Sequence, residues 1–359
     1  MKRLIFAIGL LLAAGLATAS TDIGQLQSFT GATAWVNSDA LTPETLRGKV
    51  VLVDFWDYTC VNCLRTLPYE RAWYERYKDL GFVIVGVHTP EFKFAGEEAN
   101  VRAAVERLGI HWPVALDDDN AIWNRYHNDA WPHEYLAAAD GRIVYDYVGE
   151  GDYPQTETAI QRLLHELHPE AKLPPVMALL PQDSYDKPGA ACYPQTPEVY
   201  VGPWHADAAL GNKEGYRRGE VTAYHDPIRN HYDGLIYLQG PWYTADQAMV
   251  HARDTSDPVD HLAMRYHAIQ VVAVLKPETS KPITVYVEQD AHPLGADDAG
   301  KDVRFDHQGR SYLTVDSARA YEVVMNRHFG HHDLQLSPLQ YGLGVYSFAF
   351  ESCEVGADR

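Results

Sequence analysis

Two cysteines separated by two residues, Cys60-Val61-Asn62-Cys63, are the groups in this chain best spaced for chemistry. Such a pair can close a reversible disulfide, or it can give two ligands to a metal. It lies in the segment VDFWDYTCVNC, with Pro68 five residues beyond Cys63. The apolar run Lys49–Trp56 before it reads as a buried strand, and Leu64–Leu80 after it has helical spacing. Amide groups and the dipole at that helix start stabilise a thiolate on Cys60, making it the nucleophile. Cys63, one turn inside, is shielded and placed to resolve the mixed disulfide. No second CxxC completes a zinc site, so a redox pair is expected and no metal. Asp54, six residues before Cys60, sits in an otherwise apolar strand. Burial disfavours its charge, which fits it to take the Cys63 proton; the alternative is a carboxylate bonding backbone at the strand end.

Other candidates have bland readings beside the sharp ones. Glu91 follows the strand-like run Gly81–His88 and is either an active-site acid or a surface acid. His133 could assist proton transfer or could be a solvated loop histidine. Trp56 and Tyr58 flank the cysteine turn and could equally fill a core. Eleven of the seventeen histidines lie beyond residue 197, including His328, His331 and His332, but no HExxH-like pattern groups them. Scattered surface histidines are the expectation. Trp204, Trp242 and Tyr243 could stack on sugar rings, although a sheet core consumes the same residues.

These groups need elements to hold them. The chain has 359 residues, 46% hydrophobic and 22% charged, which is enough for two domains and too apolar for disorder. Thirty basic against forty-nine acidic residues, a net charge of −19, argue against nucleic acid or an anionic membrane as partner. Lys2 and Arg3, the apolar run Leu4–Leu12 and Ala17-Thr18-Ala19 read as a cleavable signal peptide over 1–19, so export to the periplasm or beyond is expected. Residues 20–168 alternate strands (49–56, 81–88, 112–116, 134–138, 141–148) with helices (64–80, 100–108, 121–126, 156–167), an α/β pattern. Seven prolines between Pro169 and Pro197 mark a semi-rigid interdomain linker. Residues 198–359 carry short strand-like runs at 264–275, 283–287, 312–315, 321–325, 334–336 and 345–350, the pattern of an all-β sandwich. In an oxidising compartment Cys192 and Cys353 are expected to pair, because sandwiches place first and last strands side by side.

The strand-Asp-Phe-Trp-x3-Cys-x2-Cys-x4-Pro arrangement resembles the thioredoxin superfamily. The wider text (DFWDYTCVNCLRTLPY, GVHTPEF, WPHEYL, GEGDYPQTE) resembles its TlpA-like branch, in particular the periplasmic portion of DipZ-type proteins. That resemblance implies a thioredoxin-like domain followed by a jelly-roll, carbohydrate-binding-module-like sandwich. It implies thiol-disulfide exchange on protein thiols and disulfides, cytochrome c biogenesis among its settings, and no cofactor beyond the disulfide. It makes Cys60 the attacking and Cys63 the resolving thiol, Asp54 the buried carboxylate beneath them, Pro132 the cis-proline facing them and Glu91 a nearby acid. With no multi-helix electron conduit in this sequence, electrons would pass to or from a separate protein such as a membrane thiol reductase. Thr59 stands where thioredoxin has Trp. Two other readings stay open: a copper carrier using Cys60, Cys63 and a histidine such as His133, and a glycan- or partner-binding sandwich with a redox-responsive attachment. Thiol peroxidase is disfavoured, because Thr does not stand three residues before Cys60.

Overall fold

The computed structural model describes residues 24–355 other than 182, 184–185, 206–207 and 227–230; the signal-peptide reading of 1–19 falls outside them. The first half runs β1 (Ala34–Val36), β2 (Val50–Trp56), α1 (Val61–Tyr77), β3 (Phe82–His88), α2 (Glu98–Arg107), β4 (Val114–Leu116), α3 (Ala121–Tyr126), β5 (His133–Ala137), β6 (Ile143–Val148) and α4 (Tyr153–Leu167). The sheet order is β1-β4-β3-β2-β5-β6, with β2 parallel to β3 and antiparallel to β5. β2 is central and buried along its whole length, which explains why its sequence does not alternate. Its two faces still divide the core. Val50, Leu52 and Trp56 pack with Leu67 and Trp73 of α1 and Ile160 and Leu164 of α4. Val51, Val53 and Phe55 face Ile122 and Tyr126 of α3. Asp54, by alternation, points to the α1/α4 face.

The second half is the expected sandwich, organised by two long strands, His261–Pro277 and Arg319–Pro338, antiparallel to each other along most of their length. Their register shifts at Ala268/Gln270 and Val271/Val272, opposite Gly330/Met325 and Val324/Glu322, so that the two halves of each strand meet different neighbours. The first half of His261–Pro277 pairs with Ile236–Thr244; its second half pairs with Leu343–Glu351. The short strand Met249–His251 links those two partners and rounds off the sandwich. Sequence alone reads Tyr321–Met325 and Leu334–Leu336 as separate strands, because Asn326–Asp333 is polar. The structure joins them across a register shift: residues 330–333 pair with the neighbouring strand, Asn326 is buried against the Tyr266 hydroxyl, and Arg327, His328 and His331 are exposed.

Cys192 and Cys353 are directly opposed in a two-stranded ribbon and form a disulfide with an S–S distance of 2.03 Å. Residues 190–197 therefore lie with the sandwich. The proline-rich stretch before them does not hang free: Leu173, Met177, Leu179 and Leu180 pack on the first domain's core. The Met177 amide donates to Glu157 Oε2 at 2.7 Å and the Leu180 amide to Tyr69 Oη at 2.8 Å. That core also takes in Ala248, Val250, Val272, Val274 and Tyr346 of the sandwich, so the two halves share one apolar interface.

Candidate active site

β2 ends at Trp56, and Asp57-Tyr58-Thr59 turns the chain into α1. Asp57 builds that turn. Its Oδ1 accepts the Thr59 amide at 2.7 Å and the Thr59 hydroxyl at 2.9 Å, and its Oδ2 accepts the Glu91 amide at 2.7 Å. Burial alone would push its carboxyl up, but His88 beside it and the backbone donors outweigh that and hold Asp57 below the usual carboxylate range. Tyr58 stacks on His88 at 5.4 Å, and Trp56 meets the same ring edge-on. All three are fully buried, so Trp56 and Tyr58 serve as packing for the turn.

Cys60 is the N-cap of α1, in an extended conformation, and its Sγ accepts the Cys63 amide at 3.3 Å. A sulfur there receives one of the orphan amides of the helix start, the interaction that favours negative charge. Cys60 is partly exposed and Cys63 is fully buried. Burial, then the Cys60 sulfur and Asp54, push the Cys63 thiol well above its ordinary range. One sulfur meets solvent and the other holds its proton.

Beneath Cys63 lie three buried carboxyls. Asp54 on β2 and Glu134 on β5 are cross-strand partners, so their side chains leave the sheet on one face. Glu70 enters from α1, seven residues after Cys63 and on the same face of the helix. Desolvation raises Asp54 to about 7 and Glu134 to about 8, and pushes Glu70 well above its usual range. Asp54 Oδ1, Glu70 Oε2 and Glu134 Oε1 are buried with no hydrogen-bond partner among the described residues. Asp54 and Glu70 are close neighbours, and after burial the Asp54 charge is the next cause of the rise at Glu70. Thr66 Oγ1 donates to the Cys63 carbonyl at 2.8 Å and lies 3.4 Å from Glu70 Oε1, while Glu134 reaches Thr156, whose hydroxyl is 3.0 Å from Tyr145 Oη. Asp54 was legible in sequence; Asp57, Glu70 and Glu134 were not. The signals were present in the Cys63/Thr66/Glu70 spacing of i, i+3, i+7 and in an acid two residues after Pro132 in an apolar strand.

The Trp131–Pro132 peptide is cis, and Pro132 is buried beside β2, next in register after the Phe55–His133 pair. Its carbonyl accepts the Gly149 amide at 2.9 Å, and the Trp131 indole donates to the Thr89 carbonyl at 3.1 Å. His133 is not brought to the cysteines. It shares the Phe55 face of the sheet, stacks on Tyr135 at 4.0 Å, and its ring nitrogens meet Asn128, Tyr135 and Asp146. One residue of register turns it away from the Asp54 face, and the copper-carrier reading loses its third ligand.

Glu91 also differs from expectation. Its backbone joins the active-site turn through Asp57, but its side chain accepts the Tyr200 hydroxyl of the sandwich at 2.5 Å. Burial, with the Glu198 carboxylate nearby, raises Glu91 to about 8. Phe92, Phe94, Tyr200, Trp204 and Tyr346 form an aromatic cluster beside it, which consumes Trp204. Trp242 is wholly buried in the sandwich core, so of the three proposed sugar-stacking aromatics Tyr243 alone is exposed. On the other side of the active site Arg65, two residues past Cys63, spans the interface. It donates to Glu150 Oε1 at 2.9 Å and Gln270 Oε1 at 2.5 Å and pairs with Glu351 Oε2 at 2.7 Å. A cavity of about 560 Å³ opens there, between Leu64, Arg65 and Tyr69 of α1 and Ile269, Gln270 and Met325 of the sandwich; neither active-site cysteine lines it.

Residues 24–164 match the family described as Redoxin, and residues 196–350 match the family described as Thioredoxin like C-terminal domain. Protein DipZ of Mycobacterium bovis is 37% identical over 260 residues, 70% of this chain and 35% of the relative. By these matches the chain is similar to the thioredoxin superfamily, in its TlpA-like branch. Thiol-disulfide oxidoreductase ResA of Bacillus cereus is 30% identical over 118 residues, 33% of this chain and 65% of that protein. A solved thioredoxin-like protein in its oxidised form is 25% identical, covering 40% of this chain and 95% of its own, with a TM-score of 0.37. The chain spans about a third of the length of the DipZ proteins it matches. Within the thioredoxin-like domain the β2–turn–α1 unit, the cis-proline strand β5 and the acid cluster converge around one cysteine pair.

Proposed function

We propose that this protein is an exported thiol-disulfide oxidoreductase acting on protein cysteines, with Cys60 as nucleophile and Cys63 as resolving thiol. The observation that carries the reading is the asymmetry of the pair: Cys60 caps α1 within reach of solvent, while Cys63 is buried and keeps its proton. The Cys60 thiolate attacks a substrate disulfide, forming one S–S bond to the substrate and releasing one substrate thiolate. Cys63 then passes its proton to the Asp54/Glu70 pair and attacks Cys60 Sγ. The second substrate thiolate leaves, and the enzyme holds the Cys60–Cys63 disulfide. A separate thiol reductase supplies the two electrons that reopen it; the same path run backwards oxidises a substrate.

The support for proton transfer to the acid cluster is that carboxyls raised toward neutrality give and take protons at working pH. Pro132 supports the backbone edge that an incoming polypeptide would meet. The exchanging disulfide is the one redox group this reading needs. Export rests on the residue pattern of 1–19, and cytochrome c biogenesis is one setting that consumes such exchange. The test is dithiothreitol-driven reduction of insulin. Wild type should turn over, Cys60→Ser should be inactive, and Cys63→Ser should accumulate a mixed disulfide visible by mass; turnover by Cys60→Ser would overturn the mechanism.

A further inference from the structure

The sandwich gathers metal-binding groups that the sequence leaves scattered. His267 and His331 are directly opposite each other on the two long strands, 64 residues apart in sequence, so both imidazoles stand on one face. Their rings stack with centroids 5.0 Å apart. Asp233 comes from a preceding loop pinned to the same strand: the Gly234 amide donates to the Arg265 carbonyl at 3.0 Å. One donor atom from each of the three residues lies within 4.8 Å of the other two.

The arrangement is supported from below. Thr196, 1% exposed, donates its hydroxyl to Asp233 Oδ1 at 2.7 Å and accepts the His267 amide at 2.8 Å. The Thr196 amide in turn donates to the His267 carbonyl at 3.1 Å. One carboxylate oxygen is thereby committed to a buried orienting group, and the other pairs directly with His267 Nδ1, so a metal would take His267 through Nε2 or replace that contact. A hydrogen-bonded orienting residue behind a ligating carboxylate is what metal sites use to fix ligand geometry. The His331 ring has no polar partner among the described residues, and Phe329 flanks both imidazoles at about 6 Å. Arg265, bridged to Asp233 through the backbone, is answered by Asp333 at 4.0 Å.

We propose that Asp233, His267 and His331 form a binding site for a divalent transition metal, Zn²⁺ foremost, on the β-sandwich and independent of the cysteine pair. Two imidazole nitrogens and one carboxylate oxygen, with no thiolate, suit Zn²⁺ or Cu²⁺ and do not suit Cu⁺ or Ca²⁺. Three protein ligands leave the fourth tetrahedral position to water, the pattern of an open site.

The experiment is calorimetric titration of the EDTA-treated chain with ZnCl₂, in a Cys60→Ser/Cys63→Ser background so that the thiols take no metal. One Zn²⁺ should bind per chain. His331→Ala and Asp233→Asn should each weaken binding at least about tenfold, and Thr196→Val about tenfold through loss of orientation. His332→Ala, a neighbour engaged by Asp290, should bind like the parent. Matching near-ultraviolet circular dichroism and urea midpoints show that the variants fold. No stoichiometric uptake, or uptake that survives both His331→Ala and Asp233→Asn, overturns the proposal.

Discussion

Replacing Asp54 by Asn should stabilise the folded protein increasingly as pH rises. Asp54 is 1% exposed, and desolvation raises its carboxyl from 3.8 to about 7. Below the unfolded value both states are protonated and the aspartate costs nothing. Between the two values the unfolded chain releases the proton while the folded chain keeps it, so stability falls by about 1.4 kcal/mol per pH unit. Above about 7 the loss is complete, roughly 4 kcal/mol for a gap of about three units. Asparagine removes that cost but puts a buried amide where Asp54 Oδ1 has no hydrogen-bond partner among the described residues, which costs about 1 kcal/mol. The expected gain is therefore about 0.5 kcal/mol near pH 5 and about 3 kcal/mol near pH 8.5. Urea unfolding of the dithiol form at those two pH values measures both. Glu70 and Glu134 share the pocket, so Asp54→Asn combined with Glu70→Gln should depart from additivity by about 1 kcal/mol or more. Turnover of insulin should fall in Asp54→Asn, since Cys63 loses a carboxylate that can take its proton. An equal stability change at both pH values would refute the buried-acid reasoning.

Two further outcomes follow from the interface and the disulfide. Arg65→Ala leaves Glu150 and Glu351 without their shared cation in a half-buried site; unfolding should be easier by about 2 kcal/mol, and limited proteolysis within 169–189 should speed up. Replacing Cys192 and Cys353 by Ala frees a loop closed over a sequence separation of 161, which the chain-entropy account values at about 5 kcal/mol; the urea midpoint should drop while insulin turnover per folded molecule stays the same.

The motif and its elements were legible because they obey local rules. The run at 50–56 is apolar but for Asp54, so it reads as a doubly buried strand, and the helix after it follows from the 3.6-residue spacing. The Cys192–Cys353 pairing followed from compartment and topology together. Glu91 was identified as an acid near the turn, but its side chain belongs to Tyr200, because the docking of the sandwich was invisible in the spacing of either half. His133 was misjudged by one position of strand register. For Trp204 and Trp242 sugar stacking stood beside core filling, and an interface and a core absorbed them, as large apolar rings are absorbed wherever area can be buried. The single strand Arg319–Pro338 was split, since the polar residues across its register shift look like a loop.

What the sequence determined by itself is the reactive pair, the strand and helix around it and the division into an α/β and a β half, because each depends on residues within a few positions of one another. Tertiary structure decided which distant groups meet: Glu70 and Glu134 under Cys63, Tyr200 on Glu91, Arg65 on Glu351, and two histidines of separate strands beside Asp233. Those meetings are set by register, helix phase and domain docking. All three depend on how whole faces bury against each other, which no short window of sequence contains.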